Sequence, residues 1–212
     1  MKDSISSTLI EQVKKAAAVL RDGGIVAYPT DTIYGLGADI YNDIAVMKVF
    51  AVKNRPLSLP LPVLIDDISQ LANLVSGQTA FSLALANKFW PGALTIIFNK
   101  APQFEGPLLA GSNKIGVRIP DHEVTRLLIR ELGHPITGTS ANLHTGEITL
   151  TADEVRRQMG SQVDFIIDAG RCPGGKESTI VDITAGPPRI LRHGAVPDDA
   201  VLAEYYEKGG KR

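Results

Sequence analysis

Apolar positions along the chain switch repeatedly between helical and strand-like spacing. Near the start they recur every three or four residues and stop at two glycines, which predicts a helix over 8–21. A continuous apolar run then predicts a buried strand over 25–28. The same contrast predicts further helices over 43–53, over two stretches ending at 90, over 122–132, from 151 onward and after 197. It also predicts strands over 61–65, 93–98, 115–119, 135–138, 163–167, 179–183 and 189–191.

Polar residues at helix starts add detail to this pattern. Asp43 is a candidate N-cap for the second helix, and Thr151 with Glu154 has capping-box spacing. Helices interleaved with short strands indicate an α/β fold with both faces of the sheet covered. The sheet should be mixed, because some connections are too short to contain a crossover helix.

Composition favours one domain. The chain has 212 residues, of which 44% are hydrophobic and 21% charged, so it can bury a sizeable core within the usual length of a domain. We expect that domain to span 8–196, with a short helix and a loose tail at 197–212. The longest apolar runs are far shorter than the roughly 20 residues of a membrane-spanning helix, so no membrane role is expected.

Net charge and cysteine content narrow the class further. The net charge is -1 at pH 7, which argues against a broad basic surface for nucleic acid, so any anion site must be local. The single Cys172 cannot form an intramolecular disulfide, and the chain starts without an apolar signal segment. Both features favour a cytoplasmic protein.

Polar segments follow several predicted strands, where open α/β sheets usually bind their ligands. They lie at 29–37, 53–56, 112–120, 137–142 and 174–182, the last followed by 189–194. Each segment alone is compatible with an ordinary turn or strand end. The histidines do not have metal-ligand spacing, Cys172 lacks a catalytic signature, and covalent serine catalysis has no supporting motif.

Two of these segments carry cations, and each of these cations has two possible roles. Lys53 and Arg55 can bind phosphate oxygens, Arg55 as a fork and Lys53 as a point charge, or they can simply complement the end of a helix dipole. Arg118 alternates with apolar residues in a predicted strand and shares a face with Lys114. An arginine there needs an anionic partner, which can be an internal carboxylate or the carboxylate of a ligand.

Taken together, six motifs resemble the YrdC/TsaC family of threonylcarbamoyl-AMP synthases. They are PTDTIYGLG at 29–37, KNRP at 53–56, FWPG at 89–92, VRIP at 117–120, TSAN at 139–142 and STIVD at 178–182. The likeness runs from about 23 to 194 and is that of the short, single-domain form. It implies a YrdC-like twisted open mixed sheet, flanked by helices around a basic cavity.

The resemblance also implies a reaction and its partners. A nucleotidyltransferase would convert L-threonine, bicarbonate and ATP into L-threonylcarbamoyladenylate and pyrophosphate, for threonylcarbamoyladenosine in tRNA. A partner enzyme would transfer the product, so tRNA binding by this chain would be weak or indirect. Magnesium would arrive with the ATP phosphates and water, because the sequence offers no obvious carboxylate cage and no metal ligand is assigned.

Site residues follow from the same likeness. Lys53 and Arg55 would be catalytic. The nucleotide would be bound by Lys53, Arg55, Lys114, Ser140, Asn142 and Arg192. L-Threonine would be bound by Thr32, Arg118, the Gly138 backbone and Ser178, with Arg118 on its carboxylate. Leu59, Leu64 and Lys114 replace residue types that relatives often carry at these positions.

Two other functions remain open from the sequence. The clustered cations could form an RNA-binding module, although the near-neutral net charge argues against it. YrdC-like domains also occur in hydrogenase-maturation carbamoyltransferases, but the zinc-finger and acylphosphatase segments expected there do not accompany this domain.

Overall fold

The computed structural model describes residues 5–207, which form six α-helices and eleven strands. The helices are α1 (Ser7–Arg21), α2 (Asp43–Lys53), α3 (Ala80–Phe89), α4 (Glu123–Leu132), α5 (Ala152–Met159) and α6 (Asp198–Glu207). The strands are β1 (Val26–Tyr28), β2 (Gly35–Gly37), β3 (Val63–Leu64), β4 (Val75–Ser76), β5 (Leu94–Lys100), β6 (Lys114–Arg118), β7 (Ile136–Thr137), β8 (Thr139–Ser140), β9 (Phe165–Ile166), β10 (Thr179–Asp182) and β11 (Arg189–Arg192).

The strands form two mixed sheets. One has the order β8-β2-β1-β9, with β1 and β9 parallel. The other has the order β11-β10-β5-β6-β3-β7, with β4 also paired to β5. The α/β class and the mixed pairing are confirmed, while the strands are divided between two sheets. The chain passes from the second sheet to the first at Gly138, whose N–H donates to Pro62 O at 2.7 Å.

Helix ends are set by short polar side chains. Ser6 caps α1 by accepting from the backbone N–H of Leu9. The prediction for α2 was wrong by one position, because Asn42 is the N-cap and Asp43 is the first helical residue. The capping box of Thr151 and Glu154 at the start of α5 is confirmed. Of the two helical stretches predicted before 90, the first is a 3-10 helix, Ile68–Asn73, and the second is α3.

Strand β2 was not predicted, because two of its three residues are glycines. Both glycines lie against the ring of Tyr28 on β1. A Cβ atom at Gly35 would lie 2.5 Å from Tyr28 Cε2, and one at Gly37 would lie 2.7 Å from Tyr28 Cε1. Glycine is therefore needed here for a close approach between strand and aromatic ring.

The C-terminal helix α6 packs on α3. Lys88 and Glu204 form an ion pair of 2.9 Å, and the rings of Phe81 and Tyr205 meet edge to face. The loose end predicted at 208–212 lies outside the described residues. Within residues 5–207, none of the helices combines the length and apolar character needed to cross a membrane.

Candidate active site

A cavity opens where residues of both sheets meet. The first sheet and its loops contribute Tyr28, Thr32 and Ser140, and the second contributes Thr95 and Arg118. Arginine side chains dominate the charge of its wall. The charged residues that line it are Arg55, Arg118, Arg192 and Glu177.

Arg118, which lines the cavity, is held by an internal carboxylate. Its Nη2 donates to Asp31 Oδ1 at 2.5 Å, its Nε to Gly92 O at 2.8 Å, and its Nη1 to Thr32 Oγ1 at 3.2 Å. Of the two partners that the sequence left open, the structure therefore contains the internal one. Burial lowers the pKa of the Arg118 guanidinium, and the charge of Asp31 opposes that shift.

A turn centred on Thr30 presents Thr32 to this arginine. Thr30 Oγ1 accepts from the backbone N–H groups of Thr32 and Ile33 and donates to Ile33 O. The hydroxyl groups of Thr30 and Thr32 lie 2.9 Å apart. The buried Thr30 hydroxyl thus satisfies backbone groups of the turn between β1 and β2, which have no strand partner.

Arg192, at the end of β11, has its guanidinium fixed by the segment before β10. Its Nε donates to Ser178 O at 2.9 Å, its Nη2 to Ser178 Oγ at 2.9 Å, and its Nη1 to Glu177 Oε1 at 2.8 Å. Ser178 Oγ also lies 2.9 Å from Thr95 Oγ1 on β5. This network connects β11, β10 and β5 across one wall of the cavity.

Arg55 lines the cavity without a carboxylate partner. Its Nε donates to Leu59 O at 3.0 Å and its Nη2 to Pro60 O at 2.9 Å. No salt bridge within 4.0 Å involves it among residues 5–207. Burial lowers the pKa of Arg55, the charge of Arg192 lowers it further, and the charge of Glu177 raises it. The positive charge around Arg55 is thus only partly compensated, which favours an anionic ligand.

Lys53 lies outside the cavity lining and is buried. Its Nζ donates to the carbonyls of Ser140 and Asn142, both at 2.5 Å, and to Asn142 Oδ1 at 3.2 Å. Ser140 Oγ donates to Asn142 Oδ1 at 2.6 Å. Burial and the charge of Arg55 lower the pKa of Lys53 to about 8, against the charge of Glu177. Lys53 therefore fixes the loop that carries Ser140.

The remaining predicted site residues are divided. Ser140, Ser178, Thr32 and Gly138 line the cavity, whereas Asn142 and Lys114 do not. The partly exposed Lys114 side chain instead pairs through Nζ with the buried carboxylate of Asp182 at 2.8 Å. The N–H of Gly138 donates to the carbonyl oxygen of Pro62. A Cβ atom at Gly138 would lie 2.9 Å from the Leu64 side chain. The missing side chain therefore lets β3 and the loop approach closely.

Sequence reasoning missed the two carboxylates of the site. Asp31 and Glu177 fall inside segments that the sequence marked as polar, but no spacing connects them with Arg118 and Arg192. Their proximity is a tertiary contact across 87 and 15 residues, respectively. Thr95 was missed for a different reason, since it sits within an otherwise apolar strand and resembles a core residue.

Two further features of the described residues are the distribution of candidate metal ligands and the thiol of Cys172. Within the described residues, no group of three or more histidine, cysteine, aspartate or glutamate side chains is arranged to bind a metal ion. Cys172 is buried, and its Sγ accepts from Thr30 N at 3.4 Å. Burial raises the pKa of the Cys172 thiol to about 11, so it is not a reactive thiolate.

Fold and site together define an α/β protein with an arginine-lined cavity suited to an anionic small molecule. A family model described as telomere recombination, Sua5/YciO/YrdC, matches residues 18–194. The chain belongs to this family.

Individual relatives agree with this assignment. The threonylcarbamoyl-AMP synthase of Bacillus subtilis is 39% identical over 198 residues, which cover 93% of this chain and 57% of the relative. The crystal structure of P. abyssi Sua5 complexed with L-threonine superimposes with a TM-score of 0.87 at 35% identity, over 91% of this chain and 57% of that one. The crystal structure of E. coli YciO gives a TM-score of 0.81 at 28% identity, over 91% and 93%. The chain thus spans little more than half the length of the first two.

Proposed function

We propose that this chain carries the catalytic domain of a threonylcarbamoyl-AMP synthase, contained within 8–196. Bicarbonate and the amine of L-threonine condense to a carbamate with release of water, and an oxygen of the carbamate then attacks the α-phosphorus of ATP and displaces pyrophosphate. The products are L-threonylcarbamoyladenylate, pyrophosphate and water. The observation that carries the proposal is Arg55, a cation on the cavity wall that has no carboxylate partner among the described residues.

The phosphate-binding end is assigned to Arg55 and Arg192. Both arginines line the cavity. Their charges are close enough to repel each other, because the charge of Arg192 lowers the pKa of Arg55. Two cations that repel each other are stabilised by a polyanion between them. ATP and departing pyrophosphate supply such a charge, and fixed cations stabilise the charge that develops in the transition state.

Lys53, Ser140 and Asn142 are assigned to the nucleotide side through one loop. In the structure Lys53 is bound to the carbonyl groups of both other residues. We therefore assign Lys53 to holding this loop, with Ser140 as the group that reaches the cavity. Lys114 is assigned to the rim of the nucleotide side, where its ion pair with Asp182 would have to open for contact with ATP.

The amino-acid end is assigned to Thr32, Arg118, Gly138 and Ser178. Each η nitrogen of an arginine carries two hydrogens, so Arg118 can keep Asp31 and still donate to the carboxylate of L-threonine. The P. abyssi structure with L-threonine supports an amino-acid pocket in this fold. The N–H of Gly138 is already bonded, so its carbonyl is the group left for the ligand.

Magnesium is proposed to enter with ATP. Mg²⁺ usually keeps several waters and binds through one or two carboxylates and substrate phosphates, so it does not need a preformed protein cage. The product would pass to a threonylcarbamoyl-transferring partner enzyme that modifies tRNA in the cytoplasm. With the observed net charge of -1, direct tRNA binding would be weak or indirect.

Pyrophosphate release from ATP tests the proposal. The purified protein is expected to release pyrophosphate when threonine and bicarbonate are both present, and mass spectrometry should detect the threonylcarbamoyl adenylate. Parallel reactions with serine and glycine determine how strictly threonine is required. Turnover without threonine, or tight salt-dependent binding of tRNA with no binding of ATP, would contradict the assignment.

A further inference from the structure

Glu177 is the acidic residue among those that line the arginine-rich cavity. Its carboxylate is engaged by Arg192, with Oε1 at 2.8 Å from Nη1. The side chains of both residues are about one third exposed, at 38% for Glu177 and 34% for Arg192. A carboxylate in this position needs an explanation, because its charge opposes the binding of any anion that Arg55 and Arg192 attract.

The electrostatic influence of Glu177 extends beyond its ion pair. Its charge raises the pKa values of Lys53, Arg55 and Arg192, against the lowering caused by burial. Without a ligand, these cations lie close together in a partly desolvated site and repel one another. One carboxylate at this point offsets part of that repulsion for all three.

The main chain around Glu177 is fixed, while its side chain is not enclosed. Glu177 O accepts from Ala195 N at 2.9 Å, and Ser178 O accepts from Arg192 Nε. Arg192 also donates Nη2 to Ser178 Oγ. Arg192 would therefore keep two of its three hydrogen bonds, and its orientation, if the Glu177 carboxylate rotated toward solvent. Only Nη1 would become available.

Carboxylate and phosphate compete for the same donors. Both accept charge-assisted hydrogen bonds from the fork of a guanidinium group. We propose that Glu177 is an internal counter-ion, which holds Nη1 of Arg192 and yields it to a phosphate of ATP or pyrophosphate. This inference rests on the proposed function and adds a positioning residue to it. Glu177 acts through Arg192: it keeps the cations in place before the substrate binds, and it weakens pyrophosphate binding enough for release.

The test compares charge removal with complete truncation. Glu177→Gln keeps an oxygen that can accept from Arg192 but removes the charge, whereas Glu177→Ala removes both. Calorimetric titration with inorganic pyrophosphate measures binding without requiring turnover. Glu177→Gln is expected to bind pyrophosphate about two- to fivefold more tightly than the wild type at low salt, the range for one partly exposed charge pair. That gain should shrink at high salt.

The matched control removes another carboxylate from an ion pair. Glu105 pairs with Lys100 at 2.6 Å and does not line the cavity, so Glu105→Gln should leave the affinity for pyrophosphate unchanged. In steady-state assays, Glu177→Gln should lower both the KM for ATP and the inhibition constant of pyrophosphate. If Glu177 had a purely structural role, the substitution would lower neither the KM for ATP nor the inhibition constant of pyrophosphate.

Three outcomes would overturn the inference. Unchanged or weaker binding by Glu177→Gln, together with weaker binding by Glu177→Ala, would mean that Glu177 only orients Arg192. Weaker binding by Glu177→Gln that extra Mg²⁺ restores would make Glu177 a metal ligand instead. A wild-type protein that fails to bind pyrophosphate at all would contradict the proposed function itself, which distinguishes that failure from the other two.

Discussion

Two arginines that line the cavity each pair with a carboxylate, but the pairs differ in burial. Arg118 and Asp31 are 7% and 14% exposed, whereas Arg192 and Glu177 are 34% and 38% exposed. A buried pair must stay together, because separating it leaves a charge without solvent or partner. A half-exposed pair contributes little net stability and can exchange partners. The Arg118–Asp31 pair should therefore stay intact when a ligand binds, whereas Arg192 can exchange Glu177 for a ligand.

Breaking the buried pair should produce the largest effect on stability. Arg118→Met leaves Asp31 without its cation and removes donors to Thr32 and Gly92. We expect a loss of about 3–5 kcal/mol in the free energy of unfolding, the usual cost of removing one partner of a buried pair. Denaturation by urea, followed by circular dichroism, measures it.

A surface pair provides the matched control for this experiment. Arg156, at 49% exposure, pairs with Asp153, at 83% exposure, one turn away on α5. Arg156→Met should cost less than about 1 kcal/mol. If both substitutions cost the same, the burial of the Arg118–Asp31 pair has no energetic effect.

Arg55 lies near the more exposed Arg192 pair and should affect activity much more than stability. Arg55→Ala is expected to lose about 2–4 kcal/mol of transition-state stabilisation in kcat/KM, as when a key oxyanion donor is removed. Its two hydrogen bonds go to main-chain carbonyls of a surface loop, so the change in unfolding free energy should stay near 1 kcal/mol. Pyrophosphate release and urea denaturation of one preparation separate the two quantities.

Arg189 offers a comparison for Arg55 with the same change in charge. It is exposed on β11 and does not line the cavity. Arg189→Ala should therefore leave kcat/KM nearly unchanged. An equal loss of activity in both variants would indicate that net charge, rather than the position of Arg55, attracts the substrate.

The sequence predicted the parts of this molecule whose signal is local. Helix α1 and the capping box of Thr151 with Glu154 were readable, because periodicity and capping depend on neighbours a few residues apart. Strand β2 was not, since glycine disfavours strands and only the contact of Gly35 and Gly37 with Tyr28 explains it.

For the site as well, the sequence predicted local features but not tertiary contacts. Polar segments after strands predicted which stretches would meet, and Arg55, Arg118 and Arg192 do line one cavity. The resemblance to a family supplied the roles, which neither spacing nor charge could have provided. The sequence could not predict whether a cation points into the cavity. Lys53 and Arg55 are two residues apart at one helix end, yet Lys53 points toward the loop at Ser140.

Lys53 allows a test through pH. Its pKa of about 8 in the folded protein lies below the value near 10.4 of an unfolded chain. Between these values the unfolded chain binds more protons, so the contribution of Lys53 to stability rises with pH and is lost as pH falls through about 8. The difference in unfolding free energy between wild type and Lys53→Met should grow by on the order of 1–2 kcal/mol from pH 8 to 10.

Urea denaturation of both proteins at several pH values measures this difference, and the comparison cancels most other titrating groups. Lys53→Arg is the matched variant, because an arginine does not lose its proton in this range. A difference between wild type and Lys53→Met that does not change with pH would show that Lys53 titrates as in the unfolded chain.

The smallest expected effect on stability concerns the hydroxyl groups of Thr95 and Ser178, the second of which accepts from Arg192. Thr95 Oγ1 lies 2.9 Å from Ser178 Oγ, which also accepts from Arg192 Nη2. Thr95→Val keeps the shape of the side chain and removes the hydroxyl, at an expected cost of about 0.5–1.5 kcal/mol of unfolding free energy. A double-mutant cycle with Ser178→Ala isolates the pair. A coupling energy near zero would mean that Arg192 on β11, and not Thr95 on β5, orients the Ser178 hydroxyl.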